Sequence, residues 1–375
     1  MTPHRSLAIL QAFDKRRLNV AKWRVGIIGA GAIAQRGHIP GYQTQDNVEV
    51  VAICDVNEAR AREVADDKGI ARSYTDYREM LDKEQLDIVS VCSPNAFHAE
   101  MAIAGLESGA NVLCEKPMAL TYADACRMVE TSKRMGKSLT IGFHNRYRPD
   151  LRAGWEVATS GKLGDVYYAK AGYLRRSGIP GYGSWFTNKD LAGGGSMMDI
   201  GCHIMDMALW WLGHPKPVTV TASTYAKFGP QAKGLGSWGA DHYPAGARFD
   251  VDDLTTTFIR FEGGQTLTLE ASWASHGTDG QRIQVFGTDG GVEFSEKLFG
   301  DQPLRFFGEG GANLIEGTIA YGTASGSPYE REITDWLGRI ERGEEPLITA
   351  EQAAMVVQIV EAAYKSAESG REVVL

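Results

Sequence analysis

Three titratable residues interrupt an otherwise apolar stretch, "GGGSMMDIGCHIMD" (193–206): Asp199, His203 and Asp206. Spaced i, i+4 and i+7, they fall along one stripe of a helix. The run continues as "MALWWLG" to Gly213 and is apolar enough to be buried. Burying a carboxylate or imidazole costs free energy unless it is paired, hydrogen-bonded or used. His203, with an ordinary imidazole pKa of about 6.5, suits a general base. Asp199, one turn earlier, can orient that imidazole or hydrogen-bond a substrate hydroxyl. Lys116, in "CEKPMAL" (114–120), can hold a reacting oxygen and stabilise the charge developing on it. A base, an orienting group and an electrostatic clamp are what oxidation of a secondary alcohol requires. Other uses of the same residues stand beside this one. A histidine in an apolar helix is often a hydrogen-bonded core residue. An Asp and a His at i, i+4 can ligate a metal with His214 nearby, but no third ligand has suitable spacing, and no metal is expected. Asp206 reads as structural, paired with an arginine.

Composition narrows the setting of this chemistry. A chain of 375 residues has room for two domains, each with its own core. A net charge of −8 with 23% charged residues argues against a nucleic-acid binder, which needs a concentrated basic surface. No window approaches 18 consecutive apolar residues, so no membrane span is expected. Residues 1–22 read as an arm or short helix rather than a signal peptide, because Asp14 and then Lys15, Arg16 and Arg17 break the apolar patch. The five cysteines are odd in number and lack a C-x-x-C pair, which fits a reducing cytoplasm.

From 23 to 147 short β-branched runs alternate with helices. "RVGIIG" (24–29), "VEVVAICD" (48–55), "DIVSVCS" (87–93), "NVLCE" (111–115) and "SLTIGF" (138–143) are strand candidates, apolar enough to be buried on both faces of a parallel sheet. Gly69, Gly109 and Gly136 sit where left-handed helix caps are wanted. This predicts a doubly wound α/β domain of the Rossmann type. Its first turn, "GAGAIA" (29–34), fills G-x-G-x-x-G/A with Gly29, Gly31 and Ala34. Such a turn brings backbone from Gly29 to Ile33, through Ala30 and Ala32, against a pyrophosphate at a helix N-terminus; a plain strand-to-helix turn is the alternative. Asp55 ends the second strand, where a carboxylate pairs with free ribose hydroxyls and repels a ribose phosphate, so NAD is favoured over NADP. Asp55 can also cap the helix beginning near Asn57. Ligands in such sheets bind beyond the strands' carboxyl ends, which adds Ser93, Pro94, Asn95, His98, Glu115 and Lys116; His38 is a further candidate. Lys116-Pro117 is a candidate cis peptide.

"GAGAIA", "SPNAFH", "EKP" and "GGGSMMDIGCHIMD", in this order and at these separations, resemble the glucose–fructose oxidoreductase/inositol dehydrogenase/MocA family from Lys22 to Leu375. The resemblance implies an NAD-binding domain (23–147), then an α+β substrate domain (148–375) built on a large open, mostly antiparallel sheet. It places Lys116, Asp199 and His203 at catalytic positions and returns the last helix, about 349–369, to the nucleotide domain. It implies an oxidoreductase acting on a ring secondary hydroxyl of a sugar, glycoside or cyclitol. An NAD-dependent glycoside hydrolase working by transient oxidation, elimination and re-reduction is the alternative. In "GFHNRYRP" (142–149), Asn145 stands where many members carry a basic residue before the matching Arg146; both are substrate-contact candidates.

The second half also reads as a sheet on its own terms. Strand candidates follow one another at 165–175, 216–228, 253–263, 265–275, 281–288 and 290–295, with hairpin signals at Gly263-Gly264 and Asp289-Gly290. "LTTTFIRF" alternates, which predicts one buried and one open face. An open face suits a homodimer or homotetramer. "GYLRRSGIPGYGSWF" (172–186) is rich in aromatics and arginine, the composition of a carbohydrate pocket and equally of a packed loop; Tyr173, Arg175 and Trp185 are its candidate contacts. The triple glycine 193–195 admits close approach of a chain segment or of a ligand.

Overall fold

The computed structural model describes residues 22–237 and 247–375; the arm expected over 1–22 lies outside the described residues except for Lys22. Strands β1 (Trp23–Ile28), β2 (Val48–Cys54), β3 (Arg72–Tyr74), β4 (Ile88–Val91), β5 (Asn111–Cys114) and β6 (Leu139–Ile141) form a parallel sheet in the order β3-β2-β1-β4-β5-β6. Helices α1 (Ile39–Gln43), α2 (Glu58–Lys68), α3 (Tyr77–Lys83), α4 (His98–Glu107) and α5 (Tyr122–Met135) connect them. Gly69 and Gly136 end α2 and α5 with φ of +67° and +61°, a conformation that glycine adopts without steric cost. Strand order reverses between β1 and β4, which opens a crevice at their carboxyl ends.

After α6 (Pro149–Ala158) come β7 (Val166–Leu174), α7 (Lys189–Ala192), α8 (Cys202–Trp211), β8 (Pro217–Tyr225), β9 (Leu254–Phe261), β10 (Thr266–Ser272), β11 (Gly280–Gly287), β12 (Gly290–Ser295), β13 (Leu304–Gly310), β14 (Asn313–Thr318), α9 (Pro328–Arg342), α10 (Ala350–Ser369) and β15 (Val373–Val374). The strands make one sheet, β14-β13-β12-β11-β7-β10-β9-β8-β15, antiparallel except where β7 and β10 run parallel. Ile259, Leu267, Leu269, Ile283 and Val285 alternate onto the covered face, against α8 and α10. Both closing helices reach the first sheet. Ile333 and Trp336 of α9 share a core with Val25 and Ile27, and Trp336 Nε1 donates to Ser138 Oγ at 2.9 Å. Helix α10 packs between α5 and β8. Among the described residues no helix is long and apolar enough to cross a membrane.

The segment bearing Asp199 and His203 is pinned at its start. A π-helical turn, Met197–Gly201, precedes α8. Asp252, buried before β9, accepts the Gly195 N–H at 2.7 Å, Ser196 Oγ at 2.7 Å, the Met197 N–H at 3.1 Å, Thr255 Oγ1 at 2.9 Å and Tyr364 Oη at 2.8 Å. The triple glycine serves this packing. A Cβ on Gly195 would lie 1.8 Å from the Asp252 carbonyl oxygen, and one on Gly194 would lie 2.1 Å from Tyr364 Oη. Chain segments, then, make the close approach that the glycines permit. Asp252→Ala should lower the unfolding free energy by about 3 kcal/mol or more, because it strands several buried donors at once. Thr255→Val, which removes one donor, should cost about 1 kcal/mol. Equal losses for the two in denaturant titration would show that Asp252 is not the shared anchor.

Candidate active site

The glycine turn is shaped by what surrounds it. Gly29 has φ +98°, and a Cβ on it would lie 2.5 Å from the Cys92 carbonyl oxygen. A Cβ on Gly31 would meet nothing within 4 Å, because that residue borders a cavity. Asp55 Oδ2 accepts the Ala30 N–H at 2.9 Å and Oδ1 accepts the Asn57 N–H at 2.9 Å. The carboxylate therefore steadies both loops while it borders the same cavity. This room for phosphates, a positive-φ turn and a fixed acid fit a dinucleotide.

The cavity measures about 790 Å³, within the range of small-molecule and cofactor sites. Gly29, Gly31, Ala32, Ile33 and Asp55 form one end, with Ser93, Pro94, Asn95 and His98 beyond β4. Glu115 and Lys116 line its middle, facing Asp199, His203, Arg175 and Trp185 from the other half of the chain. Asn95 Nδ2 crosses between the halves to donate to the Ala192 carbonyl at 2.9 Å.

Lys116 and Asp199 meet across the cavity. Lys116 Nζ donates to Asp199 Oδ1 at 2.8 Å and to the Asp199 carbonyl at 3.0 Å, and Trp273 Nε1 donates to Oδ2 at 2.9 Å. Burial opposes both charges and the partners outweigh it: Asp199 raises the Lys116 pKa, while Lys116 and then Arg175 lower that of Asp199. The Lys116-Pro117 peptide is cis. Asp199 does not orient His203, one of the two roles open to it in the sequence. Its oxygens are taken by Lys116 and Trp273, and the π-helical turn widens the spacing that an α-helix would give. His203 is 8% exposed, and its Nδ1 is buried without a hydrogen-bond partner. Burial, then the charges of Lys116 and Arg175, pull its pKa well below 6.5, so the ring is neutral rather than poised near that value.

Five sequence candidates lie off the cavity wall. Ala30 is buried behind the glycine turn. Asn145 is buried in the segment after β6. Arg146 is wholly buried, and its five N–H bonds go to Asp206 Oδ1 and Oδ2 (2.6 and 3.0 Å), Gln352 Oε1 (2.7 Å), the Leu347 carbonyl (3.2 Å) and His214 Nε2 (3.0 Å). With every donor used, none remains for a substrate, and Arg146 is the arginine that Asp206 requires. Tyr173 stands behind Arg175, accepting from its Nη2 at 3.2 Å. His38 is also set back, under Glu115.

Several cavity or supporting residues escape the sequence reading. His144 and Tyr329 line the cavity, their rings 4.1 Å apart, with His144 5.2 Å from His203. His144 follows the carboxyl end of β6, the same position that marks Asn95 and Lys116, so that rule would have found it. Arg60 lines the Asp55 end. Trp273, fully buried after β10, carries no local signal. Among the described residues no group of three or more His, Cys, Asp or Glu is placed to hold a metal.

Comparisons with known proteins agree with this architecture. The profile of the oxidoreductase family with an NAD-binding Rossmann fold matches residues 23–143, and that of the GFO/IDH/MocA C-terminal domain matches residues 152–293. D-glucoside 3-dehydrogenase of Escherichia coli K12 is 35% identical over 96% of this chain and 100% of its own length. Myo-inositol 2-dehydrogenase of Thermotoga maritima is 28% identical over 94% and 98%. A levoglucosan dehydrogenase solved with NADH and L-sorbose superposes with a TM-score of 0.81 at 24% identity, over 94% of this chain and 99% of that one. The chain belongs to the glucose–fructose oxidoreductase/inositol dehydrogenase/MocA family of NAD-binding oxidoreductases.

Proposed function

We propose that the protein oxidises a ring secondary hydroxyl of a pyranoside or related sugar to a ketone, with Lys116 holding the reacting oxygen and His203 taking its proton. The observation that carries this reading is the Lys116–Asp199 pair facing a neutral His203 across one cavity. A histidine kept only for packing finds a hydrogen-bond partner, as His98 does between the Pro117 and Ser93 carbonyls at 2.7 and 2.9 Å. His203 does not, and an unsatisfied buried group calls for a functional explanation.

NAD supplies the hydride acceptor when bound, and Gly29, Gly31, Ser93, Pro94, Asn95 and Asp55 are the residues that would hold it. The Lys116 ammonium fixes the hydroxyl oxygen and offsets charge on it. The neutral imidazole receives the proton through Nε2, the nitrogen not sealed from the cavity. A weak base suffices, because loss of the neighbouring hydride makes the hydroxyl strongly acidic. Trp185 and Phe186, stacked with centroids 3.8 Å apart, border the cavity beside Arg175 and offer an apolar shelf for a sugar ring. The glucoside dehydrogenase likeness over nearly the whole chain supports the same substrate class. Incubation with NAD and a panel of alkyl glucosides, levoglucosan and inositols tests it. Reduced nicotinamide with a keto-sugar product supports the proposal. Release of free sugar without net reduction identifies the glycosidase reaction instead, and no reaction with any of them overturns the proposal.

Half-buried aromatics on the open face of the second sheet, Tyr168 and Phe286 stacked 5.4 Å apart beside a concavity of about 520 Å³, support a second copy of the chain as their cover; sedimentation at equilibrium checks this, and a monomer at micromolar concentration refutes it.

Further outcomes follow from the site. Asp55→Ser should shift preference from NAD towards NADP by on the order of tenfold, measured as the ratio of kcat/KM; an unchanged ratio removes Asp55 from cofactor selection. His203→Ala should slow turnover by on the order of a hundredfold with Tm little changed, and Lys116→Ala should do at least as much. Because only the protonated ring is inactive and its pKa lies well below 6.5, wild-type kcat/KM should hold through pH 6.5 and fall only at lower pH. A loss of stability in His203→Ala that matches its loss of activity would make the residue structural.

A further inference from the structure

Lys116 is gripped at its ammonium by Asp199, but its backbone has an anchor of its own. The Lys116 N–H donates to Glu115 Oε2 at 3.1 Å, and Glu115 is 6% exposed. Glu115 Oε1 lies 2.9 Å from His38 Nε2, and His38 Nδ1 lies 2.7 Å from Ser90 Oγ on β4. His38 is 1% exposed and does not line the cavity. Gly142 leaves the carboxylate its seat, since a Cβ there would lie 3.0 Å from Glu115 Oε1.

A buried carboxylate stays charged only where a cation or several hydrogen bonds offset a desolvation cost of several kcal/mol, on the order of the whole stability margin. Besides His38, Glu115 accepts only the Lys116 N–H among the described residues. The groups around Glu115 supply few candidates. Burial keeps the thiols of Cys92, Cys114 and Cys202 protonated, and likewise Tyr329 and Glu332 of α9. Burial also keeps the rings of His98 and His144 neutral. Lys116 carries charge, but its ammonium is committed to Asp199. That leaves the His38 ring. Burial opposes its charge, yet the Glu115 carboxylate 2.9 Å from its Nε2 raises its pKa, and Glu115 is lowered despite burial by His38 and then Lys116.

We propose that His38 is a positioning residue for Lys116, acting through Glu115: it holds the carboxylate that anchors the Lys116 backbone and so aims the ammonium at Asp199 and the reacting oxygen. The inference rests on the reading of Lys116 given above. The four groups then alternate in charge, His38, Glu115, Lys116, Asp199, with only the last pair in contact with substrate.

The test uses the full-length protein with His38→Gln, Glu115→Gln and the double substitution. NMR of isotope-labelled histidine nitrogens reads the pairing without any substrate. His38 should remain doubly protonated at pH about 8, above the ordinary imidazole value, and become neutral in Glu115→Gln. A neutral His38 in the wild type at that pH overturns the proposal, whether or not a substrate is known and whether or not His38→Gln folds. In kinetics, His38→Gln should lower kcat on the order of tenfold or more, with KM for NAD little changed. Its pH profile should begin to fall at a higher pH than that of the wild type, as Glu115 begins to titrate, and the double variant should be no slower than Glu115→Gln alone. Unchanged kcat in His38→Gln, an unaltered pH profile, or losses that multiply in the double variant would each overturn it. If the wild type oxidises no sugar while the NMR result holds, the activity reading fails and the pairing stands.

Discussion

The contact on which the site depends is the 2.8 Å ion pair between Lys116 Nζ and Asp199 Oδ1. It joins a turn of the first sheet to the π-helical turn that opens α8 in the second half, so the two walls of the cavity meet only when both are in place. Such a pair adds little net stability, because desolvation offsets most of the Coulomb attraction. What it contributes is geometry, and the surrounding structure is organised to supply the stability that it does not. Helices α9 and α10 lay apolar faces against the first half, with Trp336, Ile333 and Leu337 buried there. Hydrophobic burial on that scale far exceeds one ion pair. The halves are held together by packing, and the ion pair sets what they present to a ligand.

Four histidines around the site divide by their hydrogen bonds. His38 and His98 have partners at both nitrogens and hold the backbone on either side of Lys116, through Glu115 and through the Pro117 carbonyl. His144 and His203 each have a buried Nδ1 without a partner and face the cavity. For His98, two carbonyl acceptors favour a charged ring whereas burial favours a neutral one. Burial prevails, so the ring is neutral and its single N–H donates to one of the two carbonyls. The same residue type thus supplies rigid supports and unsatisfied groups a few ångströms apart, and burial alone does not distinguish them.

Much of this was legible in the sequence because it is local. Apolar runs ending in Gly29, Asp55, Ser93 and Lys116 place residues at strand ends, and strand ends in a doubly wound sheet converge on one crevice. Other parts leave no local trace. Strand β3 is Arg-Ser-Tyr and has no apolar run, and β14 is exposed along most of its length, so neither face alternates. Trp273 and Asp252 act from strand ends far along the chain on the segment at 195–199, and no spacing rule connects them. Arg146 misleads for a different reason. An arginine beside candidate contacts reads as a ligand group, and only its five occupied donors show that it is not free.

The stripe of Asp199, His203 and Asp206 divides along its length for a physical reason. Helix α8 is buried on all sides, so each polar side chain on it must be matched by a partner from another element. At its far end Asp206 meets Arg146 in a bidentate pair that excludes water, with both side chains 1% exposed or less. His214 completes that pair as a neutral acceptor, because burial and the Arg146 charge pull its pKa to about 3. Removing one partner from such a pair typically costs about 3–5 kcal/mol, so this end fixes the helix to the segment after β6. The near end is bounded by a cavity rather than by protein. There Asp199 has a partner that a substrate oxygen can share, and His203 has none. Matched groups at one end make the helix a rigid mount, and the incomplete matching at the other end is what a substrate can satisfy.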